Sequence, residues 1–286
     1  MSRRSVAWRI GGVSIVCAAA LFFWLGPPVP ESGHGLRVIA LDVGQGDAIL
    51  IRTPNGEDVL IDGGPDSRVV ERLSANLPAS DRTIELVVST HADLDHVGGL
   101  ADVAGHYRID RVLETGVRSG SGADRRWVEA MKQQKTEVTT VRAGTTFVID
   151  GTRFDVLWPQ TEADLEVKKR NNTSVVLELT YGSTSFLFTG DIESEVEERL
   201  VASGTLPDVD VLKVPHHGSI SSSSQEFIEA VKPEYAVISV GKNNKFGHPH
   251  PVVVRRLEQR GVKIWRTDED GDVVISSDGK SITFDN

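Results

Sequence analysis

From Leu36 onward the chain alternates short apolar runs with longer amphipathic ones. "LRVIALDV", "AILIRT", "DVLID", "IELVVST", "DRVLET", "FDVLW", "SVVLELTY", "SFLFTG", "VDVLKVP", "YAVISV", "VKIWRT" and "VVISS" are short and rich in β-branched residues, which predicts strands. "SRVVERLSANL", "GGLADVAGHY", "ADRRWVEAMKQQ", "IESEVEERLVAS", "SQEFIEAVK" and "PVVVRRLEQRG" repeat their apolar positions at three and four residues, which predicts helices. About a dozen strands with half as many helices predict two packed sheets covered by helices, an α+β architecture. No internal repeat appears, and the one low-complexity tract is "SISSSS" at 219–224.

The first thirty residues follow another pattern. Arg3, Arg4 and Arg9 precede the uncharged run Ile10–Gly26, and "GPPVPESGHG" after it reads as a linker. Seventeen uncharged residues meet the lower limit for crossing a bilayer, and the basic flank predicts a cytoplasmic N-terminus. Cleavage is the rival reading, because Ala18–Ala20 are small, but "LFFWL" follows them and is wrong for a cleavage site. The expectation is an uncleaved membrane anchor and linker at 1–35 and an extracytoplasmic domain at 36–286.

Charge narrows the partners. Three of the 31 basic residues lie in the anchor segment, leaving 28 against 41 acidic ones. A net charge that negative argues against a broad nucleic-acid-binding surface, though it leaves room for a local basic channel. Cys17 is the single cysteine, so an internal disulfide is excluded and any metal must be held by His, Asp, Glu or Asn.

The chemistry-bearing residues sit just past strand ends. "LDVGQGD", "DGG", "THADLDH", "TGD", "PHHGS" and "GKNNKFGHPHP" each follow an apolar run, where a rigid sheet holds functional loops. "THADLDH" places His91, Asp93, Asp95 and His96 within six positions. Taken alone it reads equally as a helix cap with a solvated turn or as metal ligands. Combined with Asp191 of "TGD" and the imidazoles of "HHGS", the metal reading prevails. Four such groups can begin two sites, and a carboxylate between two cations can bridge them.

"LDVGQGDAILI", "IDGG", "STHADLDHVGG", "FLFTGD" and "LKVPHHGS" together resemble the metallo-β-lactamase superfamily, most closely the hydrolase domain of ComEC-type competence (DNA-uptake) proteins. The resemblance spans residues 36–286. It implies an αββα sandwich of two mixed sheets, with a dinuclear site that hydrolyses phosphodiesters at one sheet edge. It implies that His91 and Asp93 hold the first of two divalent ions, that Asp95, His96 and His217 hold the second, and that Asp191 bridges them. Asp95 and His216 are the expected catalytic groups. Asp47 and Asp62 are expected to orient metal-bound histidines, the rival for Asp62 being a plain "DGG" turn.

Two departures stand out. Asp93 replaces the superfamily's more common histidine, and "RNNTSVVL" lies where the first ion's third ligand usually comes, so Asn172 or water is the expected substitute. Oxygen ligands make that position harder, favouring manganese or another hard ion over zinc. Lys213, Ser219, His248 and His250 are expected near a substrate phosphate, along with Asn172. His106 is expected on a helix surface.

The expected enzyme is a membrane-anchored metal-dependent hydrolase, probed best with zinc and manganese. Its expected substrate is a phosphodiester, single-stranded DNA among the candidates. Competence proteins of this type carry a multi-helix channel, whereas this chain offers one span. The expectation is therefore action beside a separately encoded channel, or on a small or cell-envelope phosphodiester outside DNA uptake. A non-catalytic anchored module is the rival from another class, and a β-lactamase or thioester hydrolase the rival enzyme. The oligomeric state is not legible.

Overall fold

A computed structural model describes residues 35–166 and 168–285. Residues 1–34 of the expected anchor and linker at 1–35 lie outside the described residues. Among those described, no helix is long and apolar enough to cross a membrane.

Fifteen strands form two mixed sheets among the described residues. The first sheet runs in the order β15 (Ile282–Asp285), β14 (Val273–Ser277), β1 (Leu36–Ala40), β2 (Ile49–Arg52), β3 (Asp58–Ile61), β4 (Thr83–Val88), β5 (Arg108–Glu114) and β6 (Glu137–Thr140). The second runs β13 (Lys263–Arg266), β12 (Tyr235–Ile238), β11 (Val211–Lys213), β10 (Thr184–Phe188), β9 (Val176–Tyr181), β8 (Thr152–Trp158) and β7 (Thr146–Ile149). The helices are α1 (Arg68–Asn76), α2 (Leu94–Val97), α3 (Leu100–His106), α4 (Gly122–Gln134), α5 (Ser194–Ser203), α6 (Gln225–Val231), α7 (Pro251–Glu258) and α8 (Thr267–Asp270).

Strand alternation builds the layers. Leu36, Val38 and Ala40 of β1 face inward and pack with Phe154, Leu177, Leu179 and Phe186 of the opposite sheet. Ile39 faces outward with Leu50, Leu60 and Val87, covered by Val69 and Leu73 of α1, Val103 of α3 and Trp127 of α4. On the other side Trp158, Val176, Leu187 and Leu212 pack against Val196 and Leu200 of α5 and Phe227 of α6. The result is the αββα sandwich the sequence implied.

The parallel registers β3–β4 and β10–β11–β12 matter for function. Parallel neighbours end on the same side, so the loops after β3, β4, β10, β11 and β12 converge on one rim. Gly98 is needed there, because a Cβ on it would lie 2.1 Å from the carbonyl oxygen of Pro65. Gly190 is needed too, because the turn after β10 takes φ +51°.

Three strands escaped the sequence reading. β6 is mostly exposed, β15 alternates half-buried and exposed positions, and β7 pairs only with β8. All three are sheet edges without a sustained apolar run. The sequence pattern of "VKIWRT" also ran one residue too far, since Thr267 opens α8.

Candidate metal centre

His91 follows β4, and Asp95 and His96 occupy the first turn of the single-turn helix α2. Asp93 stands at the N-cap position but makes no side-chain bond to the helix, so the capping reading of "HADLDH" is not what the fold uses. Its Oδ1 accepts instead from Arg170 Nε at 2.6 Å. Asp191 follows β10, and His216 and His217 sit in the tight turn Pro215–Gly218 after β11. Both histidines have positive φ, +49° and +54°, and Asp62 after β3 has φ +59°. Non-glycine residues in that region are strained and cluster at functional sites.

Neighbours fix the ring tautomers. The His96 Nδ1 lies 2.7 Å from Asp62 Oδ2, a carboxylate that can only accept, so Nδ1 carries the hydrogen. The His217 Nδ1 faces the Ser239 carbonyl at 2.9 Å, with the same consequence. His91 Nδ1 lies 3.1 Å from Thr90 Oγ1 and 3.2 Å from Ser174 Oγ. Those hydroxyl hydrogens go to Asp62 and to the Asn171 carbonyl, so both oxygens accept from His91. In the neutral rings, therefore, all three Nε2 atoms bear lone pairs.

Those lone pairs converge with carboxylates. His96 Nε2 is 3.2 Å from Asp191 Oδ2, and His217 Nε2 is 3.3 Å from it and 3.4 Å from Asp95 Oδ2. The Nε2 atoms of His91, His96 and His217 and Oδ1 of Asp191 are buried without a hydrogen-bond partner. Asp95, His96, Asp191 and His217 place their ligand atoms within 4.8 Å of one another. Four acceptors facing one another without a donor demand a cation. Hard oxygen and imidazole nitrogen suit a divalent ion, so the residues fit one.

Titration expresses the same demand. Burial pushes the Asp191 carboxyl up, but the imidazoliums of His217 and His96 outweigh it and hold it well below the usual range. Burial lowers His96 and His217, and the carboxylates Asp191 with Asp62, or Asp191 with Asp47, more than reverse that. Burial and the neighbouring His96 charge keep His91 below its ordinary value. Without a metal, protons on His96 and His217 satisfy the carboxylates; a divalent ion replaces them.

The support is asymmetric. Asp62 accepts from Thr90 N at 2.8 Å and Thr90 Oγ1 at 2.6 Å as well as from His96, so it is more than a turn residue. Asp47 sits 3.3 Å from His217 Nδ1 through Oδ1, and 2.9 Å from Lys213 Nζ through Oδ2. Burial pushes Asp47 up, and Lys213 and His217 hold it far below the ordinary carboxylate range.

Several residues expected near substrate are held by partners within the fold. Lys213 is 2% exposed, with its Nζ held by Asp47 and the Val214 carbonyl, behind His217 and not at the open rim. Asn172 accepts from Glu193 N at 2.8 Å and donates to Glu195 at 2.9 Å, which turns its amide away from the first position. Asn171 faces the site instead, its Nδ2 lying 3.3 Å from His216 Nε2. Ser219 is buried and bonded to Ser221, whose hydroxyl lies 3.3 Å from His216 Nδ1. His250 caps α7 by accepting from Val252 N. His248 stays close, its ring 5.6 Å from that of His216, with a buried Nδ1 that has no partner. Burial and the charges of His216 and His217 bring its pKa down to about 4, so it is neutral at physiological pH. His106 is exposed, as expected.

Sequence reasoning missed Thr90, Arg170, Asn171 and Ser174. The only signal for the last three was the polar stretch "RNNTS" between apolar runs.

The model of the metallo-beta-lactamase superfamily matches residues 41–242. The chain belongs to that superfamily. Superfamily hydrolases are metal-dependent, in keeping with the donor set above. ComE operon protein 3 of Bacillus subtilis (strain 168) is 29% identical over 303 aligned residues, covering 99% of this chain and 38% of that protein. Competence protein ComA of Neisseria gonorrhoeae is 32% identical, covering 85% of this chain and 32% of that protein. The resemblance to ComEC-type proteins is thereby borne out, although the chain spans only about a third of the length of these curated relatives. The metallo-beta-lactamase fold protein YhfI from Bacillus subtilis matches with a TM-score of 0.55 at 10% identity, over 81% of this chain and 95% of that one, a likeness of fold alone.

Proposed function

We propose that this chain is a metal-dependent phosphodiesterase whose principal ion is held by Asp95, His96, Asp191 and His217. The observation that carries the reading is the convergence of the buried, unpartnered Nε2 atoms of His96 and His217 on the Asp191 carboxylate. Asp191 is the bridging ligand, and His91 and Asp93 begin a second, weaker position. When bound, the ions polarise a phosphoryl oxygen and acidify a water. Manganese is the favoured ion, with zinc as the alternative, because carboxylate oxygens make up so much of the donor set.

The protein's own groups divide the remaining work. Burial raises Asp95, but the positive charges of protonated His217 and His96 beside it bring it down to about 2, so it is anionic at any working pH. His216 is partly exposed and stands 3.8 Å from Asp191 Oδ2, between Asn171 and Ser221. Its assigned role is to give a proton to the leaving oxygen. Asp62 and the Ser239 carbonyl keep the His96 and His217 rings in the metal-ready tautomer, and Asp47 adds negative charge behind His217.

Single-stranded DNA is the favoured substrate, suggested by the competence proteins the chain resembles. Anchoring through Arg3, Arg4, Arg9 and the run Ile10–Gly26, with the catalytic domain extracytoplasmic, belongs to the same proposal, as does a separately encoded channel partner. The acidic charge favours the second reading, a small or cell-envelope phosphodiester. Purified protein with manganese or zinc should be offered single-stranded DNA, bis(p-nitrophenyl) phosphate and a β-lactam. Cleavage of the diesters but not the lactam is expected; lactam cleavage alone would sink the proposal.

A further inference from the structure

The turn Arg170–Thr173 lies where the superfamily resemblance would bring a histidine to the first metal position, and it brings a cation. Arg170 Nε holds Asp93 Oδ1 at 2.6 Å. The other oxygen, Oδ2, faces His91 Nε2 at 3.9 Å, and that nitrogen is buried and unpartnered. Two donor atoms at that separation can share one ion with ~2.1 Å bonds. Among the described residues, no group of three metal-ligating side chains includes His91 or Asp93. The first position is therefore short of ligands, and one carboxylate it needs is already neutralised by a guanidinium.

Arg170 is not fixed there by burial. Its side chain is 48% exposed and that of Asp93 is 25% exposed, so the pair stands at the rim. A planar guanidinium fits a phosphate diester as well as a carboxylate.

We propose that Arg170 competes with the first-position ion for Asp93, keeping that position weak until an anionic phosphate diester draws the guanidinium away. This rests on the two-position reading above, and it adds the regulation of that site. Diester and first ion then strengthen each other's binding, because each is helped by release of the Arg170–Asp93 pair. Substrate thereby completes the centre that acts on it.

The test is calorimetric titration of the purified chain with manganese, comparing wild type with Arg170→Met. One tight event, at Asp95, His96, Asp191 and His217, should be the same in both. The weaker event should tighten about tenfold or more in Arg170→Met, because a positive charge beside a divalent ion has been removed. Adding Asp93→Asn to that variant should abolish the gain. Dimethyl phosphate should tighten the weak event in wild type and not in Arg170→Met. A weak event that is unchanged or looser in Arg170→Met would overturn the proposal and make Arg170 a support for Asp93. Equal effects of dimethyl phosphate on both proteins would overturn the coupling. If methionine disturbs the fold, seen as loss of the tight event, Arg170→Gln carries the same test. No hydrolysis is read, so the outcome does not depend on whether the protein cleaves phosphodiesters.

Discussion

Asp62 Oδ2 and His96 Nδ1 lie 2.7 Å apart, with both side chains fully buried. The bond sets the tautomer of a ligand ring and raises its basicity, as partners behind metal-bound histidines generally do. Asp62→Asn should therefore weaken metal binding about 10–100-fold while leaving every ligand in place. Competition with a chromogenic chelator measures this, and an unchanged dissociation constant would remove Asp62 from the centre.

Lys213 and Asp47 form a buried ion pair beside the site, each side chain 2% exposed. Removing one partner of a buried pair typically costs about 3–5 kcal/mol, because the other charge is left stranded. Lys213→Met should lower the thermal midpoint by roughly 10 °C. Asp47→Asn in the same chain should restore part of it. If Lys213→Met melts like wild type and loses only substrate affinity, its assignment as a buttress is wrong.

His216 and His217 are adjacent yet should fail differently. His217 Nε2 faces Asp191 and Asp95, whereas His216 is partly exposed and ringed by Asn171, Ser221 and Glu193. His217→Ala should lose metal, with partial rescue by excess ion. His216→Ala should keep its metal and turn over about 10²–10⁴ more slowly, most severely on poor leaving groups. Metal analysis beside a leaving-group series decides between these outcomes.

Much of this site was legible because a parallel sheet delivers strand-end loops to one rim. The proposed ligands His91, Asp95, His96, Asp191 and His217 could be grouped from six polar loops after six apolar runs. What stayed hidden was pairing between distant segments. Nothing in "VDVLKVP" says that Lys213 will meet Asp47, 166 positions earlier, and a strand lysine among apolar residues reads as a rim cation. Arg170 likewise finds Asp93 across 77 positions. The edge strands β6 and β15 were hidden for a different reason: half-exposed strands carry no apolar run to detect.

A carboxyl remote from the proposed metal centre gives a pH test. Burial raises the Glu85 carboxyl to about 7, with Glu57 and Asp81 adding to it and the hydrogen bond from Asp58 N opposing it. The folded state therefore holds this proton above the ordinary value of 4.5, while the unfolded chain releases it there. Stability from Glu85 is full below about 4.5 and is lost as pH rises towards 7. Glu85→Gln keeps the acceptor for Asp58 N and removes the charge. It should raise the midpoint at pH 8 by roughly 2–3 °C, on the order of 1 kcal/mol after allowing for solvent screening, and leave it unchanged at pH 4. Equal effects at both values would show that Glu85 titrates normally.

The most direct test of the metal centre is manganese content per chain, measured after equilibrium dialysis, with hydrolysis of bis(p-nitrophenyl) phosphate followed on the same samples. Asp191 Oδ2 stands 3.2 Å from His96 Nε2 and 3.3 Å from His217 Nε2, and its Oδ1 is buried and unpartnered. Wild type should hold two ions at saturating manganese and cleave the diester. Asp191→Asn should lose at least the tightly held ion and fall by about 10³-fold or more in rate, since both positions depend on one carboxylate. An Asp191→Asn protein that keeps both ions and cleaves the diester at the wild-type rate would contradict the assignment of Asp191 and the metal-dependent mechanism built on it.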